Sequence, residues 1–147
     1  MQTLLRISVL VAIGSATAAS ASEAIFCSRD QPHPIDVRFA QAAAKAAGVT
    51  VSIRAAQSEA YEKWDKELNE AYRALASKLP DEDKQRLLEL QRAWLKYRDA
   101  ESKFLWSQSM FGGEGTIGPV VVADRMRDVL KARVCDLQNS LRYLSMQ

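Results

Sequence analysis

The chain has 147 residues, 48% of them hydrophobic and 26% charged, and a formal net charge of +2. This composition is typical of a single folded domain and is too apolar for a disordered chain. The small net charge argues against a nucleic-acid-binding protein, which would carry a strong basic excess. Six Gly and four Pro are too few for the many tight turns of an all-β fold.

Residues 1–21 have the features of a secretory signal peptide. A positive charge near the start is followed by the apolar run 7–13 and by the small residues Ala19-Ser20-Ala21, which form a typical cleavage site. The apolar run is well short of the roughly 20 residues that span a bilayer. Bulky Phe26 before Cys27 does not fit a lipoprotein signal. We therefore predict cleavage near Ala21 and a periplasmic or secreted protein with no stable membrane anchor.

Two cysteines, Cys27 and Cys135, remain after this cleavage. An oxidising compartment favours a disulfide between them, which would tie the new N-terminus to the last helix. The alternative is two buried free thiols. A metal site is not expected, because the single histidine, His33, has no CxxC motif or second histidine to accompany it. Nothing in the sequence suggests a cofactor.

The N-terminal part of the mature chain is predicted to be a loop, a short helix and an extended link. Two prolines in residues 28–34 oppose regular structure, which places His33 in a surface loop. Residues 35–47 are rich in Ala and favour a helix, with Gly48 as a plausible C-cap. Residues 49–53 alternate and are β-branched, which favours an extended link.

Three longer helices are predicted in the rest of the chain. Apolar residues recur at spacings of three and four from Ala55 to Leu79, as on one face of a helix. Pro80 ends that helix, and Asp81 begins a second one that ends within residues 107–110. The third helix follows the loop 111–119. The expected inner side of the second helix comprises Leu87, Leu90, Trp94, Tyr97, Glu101, Phe104 and Leu105.

This pattern predicts an all-α fold. Three long helices with short connections pack as an antiparallel bundle, and the short N-terminal helix would cover one groove. We expect three segments: a signal peptide at 1–21, an N-terminal extension with a short helix at 22–54, and a helical domain at 55–147.

Enzyme motifs are nearly absent from the sequence, and we predict that the protein is not an enzyme. A histidine between two prolines is a poor candidate for a Ser-His-Asp arrangement. The Gly-rich loop follows a helix and lacks the GK[ST] of a phosphate-binding loop. Acidic residues 81–83 are explained by the helix macrodipole.

Polar residues on the apolar faces are more informative. Asp65, Asn69 and Tyr72 lie on or beside the inner stripe of the first long helix, and Gln91, Trp94, Arg98 and Glu101 do the same on the second. If Arg98 points inward it needs a carboxylate, which Asp65, Asp99 or Glu101 could supply. The cluster is then either a polar network that sets the register of the helical hairpin or the lining of a binding pocket.

The loop 111–119 offers a second candidate. Trp106, Met110 and Phe111 lie beside its glycines, and aromatic residues and Met are enriched at protein interfaces. These side chains either form a contact surface or cap the end of the bundle.

Two segments, residues 65–72 and 90–100, together resemble a known family, the LprI-type lysozyme inhibitors. The N-terminal domain of that family was long a domain of unknown function. The family pattern is D-x-x-L-N-x-x-Y followed by L-x-x-x-Q-x-x-W-x-x-[YF]-R-D, then a Gly-Gly loop and a closing helix with a central Arg. The matching residues here are Asp65, Leu68, Asn69, Tyr72, Leu87, Gln91, Trp94, Tyr97, Arg98, Asp99, Gly112, Gly113 and Arg133. The resemblance covers about Asp65 to Leu141, and residues 28–54 match no part of it.

The resemblance implies an exported, helical, disulfide-containing domain that binds lysozyme. The chain departs from the pattern where many members have a second cysteine pair: Ser102 stands at one of these positions and Arg125 near the other. The family's Gly-Gly-Ser also reads Gly112-Gly113-Glu114 here. The departures are consistent with the loss of one bridge across the loop.

The leading functional hypothesis is therefore a protein inhibitor of lysozyme or of a related cell-wall lytic enzyme. Such an inhibitor would insert a loop and basic donors into an acidic catalytic cleft. The candidate binding residues are Trp106, Phe111, Gly112, Gly113, Glu114, Arg125 and Arg127. The alternative is a structural or interaction module of the periplasm without inhibitory activity.

Overall fold

The computed structural model describes Cys27 and residues 32–146, which form four helices: α1 (Pro34–Lys45), α2 (Thr50–Ser77), α3 (Asp81–Leu105) and α4 (Gly118–Leu144). The part of the chain so described contains no strand. The predicted all-α class, with three long helices and one short one, is confirmed. The signal-peptide prediction for residues 1–21 lies outside the described residues.

Helix α1 forms much as expected, but its start is not a surface loop. His33 caps the helix by accepting a hydrogen bond from the Ile35 backbone N–H at its Nδ1, 3.3 Å away. Its ring also stacks at 4.4 Å on the ring of Trp64 and is 8% exposed. The predicted exposure of His33 is therefore wrong, because the indole of α2 covers it. After Lys45 the chain turns through Ala46 and reaches Gly48, whose φ is +83°.

Helix α2 begins five residues before its predicted start. The extended link predicted for residues 49–53 is wrong: Val49 is the N-cap, and its carbonyl accepts hydrogen bonds from the backbone N–H groups of Ser52 and Ile53. β-Branched residues cost a helix only a fraction of a kcal/mol each. The tertiary structure overrides this small preference, since Ile53 is partly buried and lines one cleft together with Phe39 of α1 and Val120 of α4.

The core lies mainly between α2 and α4. Trp64, Leu68 and Leu75 of α2 pack with Leu130 and Val134 of α4, and all five are almost completely buried. These two helices run in the same direction, and α3 runs opposite to both, with its end near the start of α2. As predicted, α1 covers one groove, that between α2 and α4.

Helix α3 lies at the margin of the core and is more loosely packed than α2 and α4. It contacts α4 only lightly and α2 even less, and its buried residues are Leu87 and Leu105. Leu90, Tyr97 and Phe104 were predicted to face inward, but each is more than half exposed. The reason is that α2 and α4 fill the core between themselves, so α3 touches them along a narrow strip.

The predicted disulfide between Cys27 and Cys135 is present. The two Cα atoms are 5.1 Å apart across a sequence separation of 108 residues. Cys27 is buried, and Arg142 Nη2 donates a hydrogen bond to its carbonyl at 3.1 Å. The bridge thus holds Cys27 against the last helix.

Each helix of the described chain is too short or too polar to cross a membrane.

Candidate functional site

A cleft of about 650 Å³ lies at one end of the bundle. It opens between the first half of α2, the end of α3 and the start of α4, where α3 stands away from α2. Its lining combines cations, carboxylates, aromatic rings and apolar side chains, among them Arg54, Gln57, Tyr61, Glu62, Asp65, Arg98, Asp99, Trp106, Val122 and Met126.

Gln57 joins the floor of this cleft to the start of α4. Its Nε2 donates to the Val120 carbonyl at 2.9 Å and to Asp124 Oδ1 at 3.3 Å. Its Oε1 is buried and accepts no hydrogen bond from the described residues. The amide therefore holds α2 and α4 in register. The sequence pattern did not single out Gln57, although a polar residue between Ala56 and Ala60, on what is the buried face of α2, was a usable signal.

Arg98 and Asp99 form one wall of the cleft. The Nε and Nη2 atoms of Arg98 both donate to Asp99 Oδ1, at 3.0 and 2.8 Å. The guanidinium also lies over the Trp94 ring, 5.6 Å from its centroid. Of the carboxylates expected to neutralise Arg98, its sequence neighbour Asp99 does so, and the pair stays within α3.

Tyr61 lines the same cleft from α2 and touches the apolar cluster beneath it. Burial raises the pKa of its hydroxyl above the ordinary value. The charge of Arg98 acts in the opposite direction, and those of Asp65 and Asp99 reinforce the increase. The Tyr61 hydroxyl is thus influenced by Asp65 on its own helix and by Arg98 and Asp99 on α3.

Trp106 stands at the rim of the cleft and begins the connection to α4. It is 47% exposed, so a large indole surface is available to a partner. Phe111 is only partly exposed and packs on the cluster of Leu105, Val122 and Met126. The sequence left open whether these side chains form a contact surface or cap the end of the bundle. Phe111 caps the bundle end, and Trp106 remains accessible for contact.

The loop between α3 and α4 is a compact series of turns. The Phe111 N–H donates to the Leu105 carbonyl and the Gly112 N–H to the Ser107 carbonyl, both at 3.1 Å. A Cβ added at Gly112 would lie 2.3 Å from the Trp106 carbonyl oxygen, so a glycine is required there by close backbone approach. Past this tight turn the loop is exposed, with Ile117 at 55%.

The remaining candidate binding residues differ sharply in accessibility. Gly113, Glu114 and Arg125 are exposed. Arg127 is only 8% exposed: its guanidinium lies 4.1 Å from the centroid of the Phe39 ring, and its Nη1 lies 2.7 Å from Asp124 Oδ1. The expectation that Arg127 offers a binding surface is wrong, because α1 covers it.

The family-motif residues fall into three separate groups. Asn69 Nδ2 donates to Asp65 Oδ2 at 3.1 Å within α2, and Arg98 pairs with Asp99 within α3. Arg133 Nε of α4 donates to Gln91 Oε1 of α3 at 3.0 Å. Tyr72 and Trp94 pack against the core and Tyr97 is exposed. The hydrogen bonds of the described residues thus link α3 to α4, and none joins the motif residues of α2 to those of α3.

A metal centre has no basis in this part of the chain. No group of three or more His, Cys, Asp or Glu side chains within the described ranges is arranged to hold an ion. The arrangement can instead recognise a partner, since it offers an indole surface, charged hydrogen-bonding groups and an ordered loop at one end of the molecule.

Comparison with known proteins connects this arrangement to a family. The model of the family described as "Lysozyme inhibitor LprI" matches residues 40–137, about two thirds of the chain. The match begins within α1, earlier than the sequence motifs indicated, and includes the loop and most of α4. Searches of curated proteins and of solved structures give no significant match. On the family match, the chain belongs to the LprI lysozyme inhibitor family.

Proposed function

We propose that the protein is an exported inhibitor of lysozyme that binds its target with the end of the bundle formed by Trp106, the loop 111–117 and Arg125. The observation that carries the proposal is the family match over residues 40–137, which spans this whole surface. The exposure of Trp106, of the loop and of Arg125 supports this choice of contact surface.

The apolar part of the proposed contact is Trp106 together with Ile117. Both are about half exposed, and an accessible Trp is the residue type most often found at the energetic centre of a protein interface. The hydrogen bonds that Phe111 and Gly112 donate to carbonyls of the preceding segment hold the loop in one shape. A preorganised loop loses less conformational entropy on binding.

The charged part of the proposed contact is Arg125. Glycosidases act with a pair of carboxylates at the scissile bond, and a guanidinium binds carboxylates with two parallel hydrogen bonds. Arg125 is exposed near the start of α4, whereas Arg127 is covered. The net charge of +2 provides little long-range attraction, so we expect these local contacts to dominate the affinity.

The test is a titration of the oxidised mature chain against a panel of lysozymes, with binding heat and cell-wall lysis measured on the same samples. Trp106→Ala and Arg125→Ala should each weaken binding about tenfold or more. Tyr143→Ala and Arg92→Ala are matched controls, since both residues are exposed away from the loop, and both variants should bind like the parent. Absence of binding at high micromolar concentration would contradict the proposal and favour an envelope interaction module.

Export is the second part of the proposal, and it is supported by the residue pattern of positions 1–21 and by the disulfide. Expression of the full chain in a Gram-negative host should yield a periplasmic product whose N-terminal residue is Ser22, as read by mass spectrometry. A product that retains Met1 and remains in the cytoplasm would contradict this part alone.

A further inference from the structure

Helix α3 carries an exposed apolar stripe, defined by Leu90, Ala93, Tyr97, Ala100 and Phe104. The spacing alternates between three and four residues, which is the pattern of a coiled-coil seam. Leu90, Tyr97 and Phe104 are 54%, 52% and 56% exposed, and both alanines are exposed as well. A contiguous apolar stripe of this kind on a folded surface indicates a contact site.

The weak attachment of α3 explains why the stripe is uncovered. The inner strip of α3 uses Leu87, Trp94 and Leu105 against the rest of the bundle. The exposed stripe lies on the adjacent face of α3, outside the contact between α3 and the rest of the bundle. A second helix could therefore pack along it without displacing any part of the described fold.

Charged residues along one edge of the stripe indicate which helix fits. Glu82, Glu89, Lys96 and Lys103 follow one another at intervals of seven residues, so the acidic pair precedes the basic pair on the same edge. When two helices pair in antiparallel orientation, the same edges of both face each other. In the register that sets Leu90 opposite Ala100, a second copy of α3 would place its Lys103 beside Glu89 at each end of the contact, and the two Lys96 side chains would meet at its centre.

Shape agrees with the same arrangement. The antiparallel register that places Leu90 opposite Ala100 of the second copy also places Tyr97 opposite Ala93, and Phe104 then lies opposite Arg86 at the edge of the contact. Large side chains opposite small ones allow the two helices to interdigitate. None of the ion pairs among the described residues uses Glu89 or Lys103, so these two groups are available for pairing between copies.

We propose that the protein forms a two-fold symmetric homodimer through antiparallel packing of the α3 stripe. An isologous interface of this kind closes on itself and gives a dimer, not a filament. The proposal does not depend on lysozyme binding, because the stripe shares no residue with the proposed inhibitory surface.

Sedimentation equilibrium of the oxidised mature chain over a range of concentrations tests the proposal. We expect a monomer–dimer equilibrium that Leu90→Glu and Tyr97→Glu each weaken at least tenfold. Leu95→Glu is the matched control, since Leu95 is a partly exposed leucine of α3 outside the stripe, and this variant should dimerise like the parent. Circular dichroism of each variant checks that the helices are retained.

Charge exchange tests the orientation. Glu89→Lys should weaken the dimer, and the double variant Glu89→Lys, Lys103→Glu should restore it, because antiparallel pairing brings these two positions together. A chain that is monomeric at every concentration would overturn the proposal. So would a dimer indifferent to Leu90→Glu and Tyr97→Glu, or loss of lysozyme binding in these variants without any change in mass.

Discussion

The carboxylate of Asp36 on α1 lies 2.8 Å from the ammonium group of Lys131 on α4. Its other oxygen accepts a hydrogen bond from Trp64 Nε1 of α2 at 3.2 Å. One side chain of the short helix thus contacts both helices that form the core. Both partners of the ion pair are about three quarters shielded from solvent, which reduces screening by water.

Asp36→Ala should lower the free energy of unfolding by about 1–3 kcal/mol, since it removes an acceptor from the Trp64 indole and a counter-charge from Lys131. Glu59→Ala is the control. It breaks an exposed ion pair with Lys63 one turn away, and exposed pairs of this kind contribute little to stability because water and salt screen them. Urea unfolding followed by Trp fluorescence measures both. Equal losses in the two variants would contradict a special role for Asp36.

Reduction of the disulfide should destabilise the protein. Chain-entropy arguments and measurements on small exported domains put the loss at roughly 2–5 kcal/mol. The thermal midpoint of the parent should fall on addition of a thiol reductant, and that of Cys27→Ser should be low and unaffected. If thiol counting confirms full reduction and the thermal midpoint of the parent nevertheless stays constant, the bridge is dispensable for stability.

Gly112→Ala should disrupt the loop. The added Cβ would meet the backbone carbonyl of Trp106, which cannot move without distorting the end of α3, and we expect a loss of about 1–3 kcal/mol. Gly113→Ala is the matched control, because its Cβ would meet only the flexible side chain of Gln108. Near-ultraviolet circular dichroism reports on Trp106 in both. A parent-like spectrum and stability for Gly112→Ala would refute the close-approach argument.

The two neighbouring arginines of α4 should have opposite effects. Arg127→Ala removes the cation–π contact with Phe39 and the ion pair with Asp124, and should cost about 1–2 kcal/mol of stability. Arg125→Ala should stay within about 0.5 kcal/mol of the parent and lose lysozyme affinity instead. Thermal unfolding and titration calorimetry on the same pair of variants separate these roles. An Arg127→Ala variant that is fully stable yet no longer binds would reverse the assignment.

Tyr61 should make the protein sensitive to alkaline pH. Because burial raises the pKa of its hydroxyl in the folded state, the folded chain holds this proton more tightly than the unfolded chain. The associated stability is complete below the ordinary tyrosine pKa of about 10 and is lost as the pH rises through the raised value. Unfolding measured against pH should show this loss in the parent and a smaller one in Tyr61→Phe. Identical alkaline profiles would contradict it.

Much of the local architecture follows from neighbouring residues. Pro80 separates α2 from α3 as predicted, since proline cannot continue a helix and Asp81 suits a helix start. The prediction of an extended link at 49–53 was wrong because it followed a weak β preference, and the partial burial of Ile53 between helices cannot be read from neighbouring residues. The site was anticipated only in part. The sequence pointed to Trp106, but Gln57 and Tyr61 joined the cleft through contacts between distant segments.

The sequence by itself determined where the helices lie, which two cysteines could pair, and which family motif the chain carries. These features depend on the positions of prolines, on the spacing of apolar residues and on the identity of nearby residues. Only the tertiary structure decided that Arg127 and His33 are buried and that Leu90, Tyr97 and Phe104 are exposed. Helical periodicity sets the direction of each side chain around its own axis. Which directions are covered depends on where the other helices pack, and here α1 covers Arg127 while α3 lies at the margin of a core that α2 and α4 fill together.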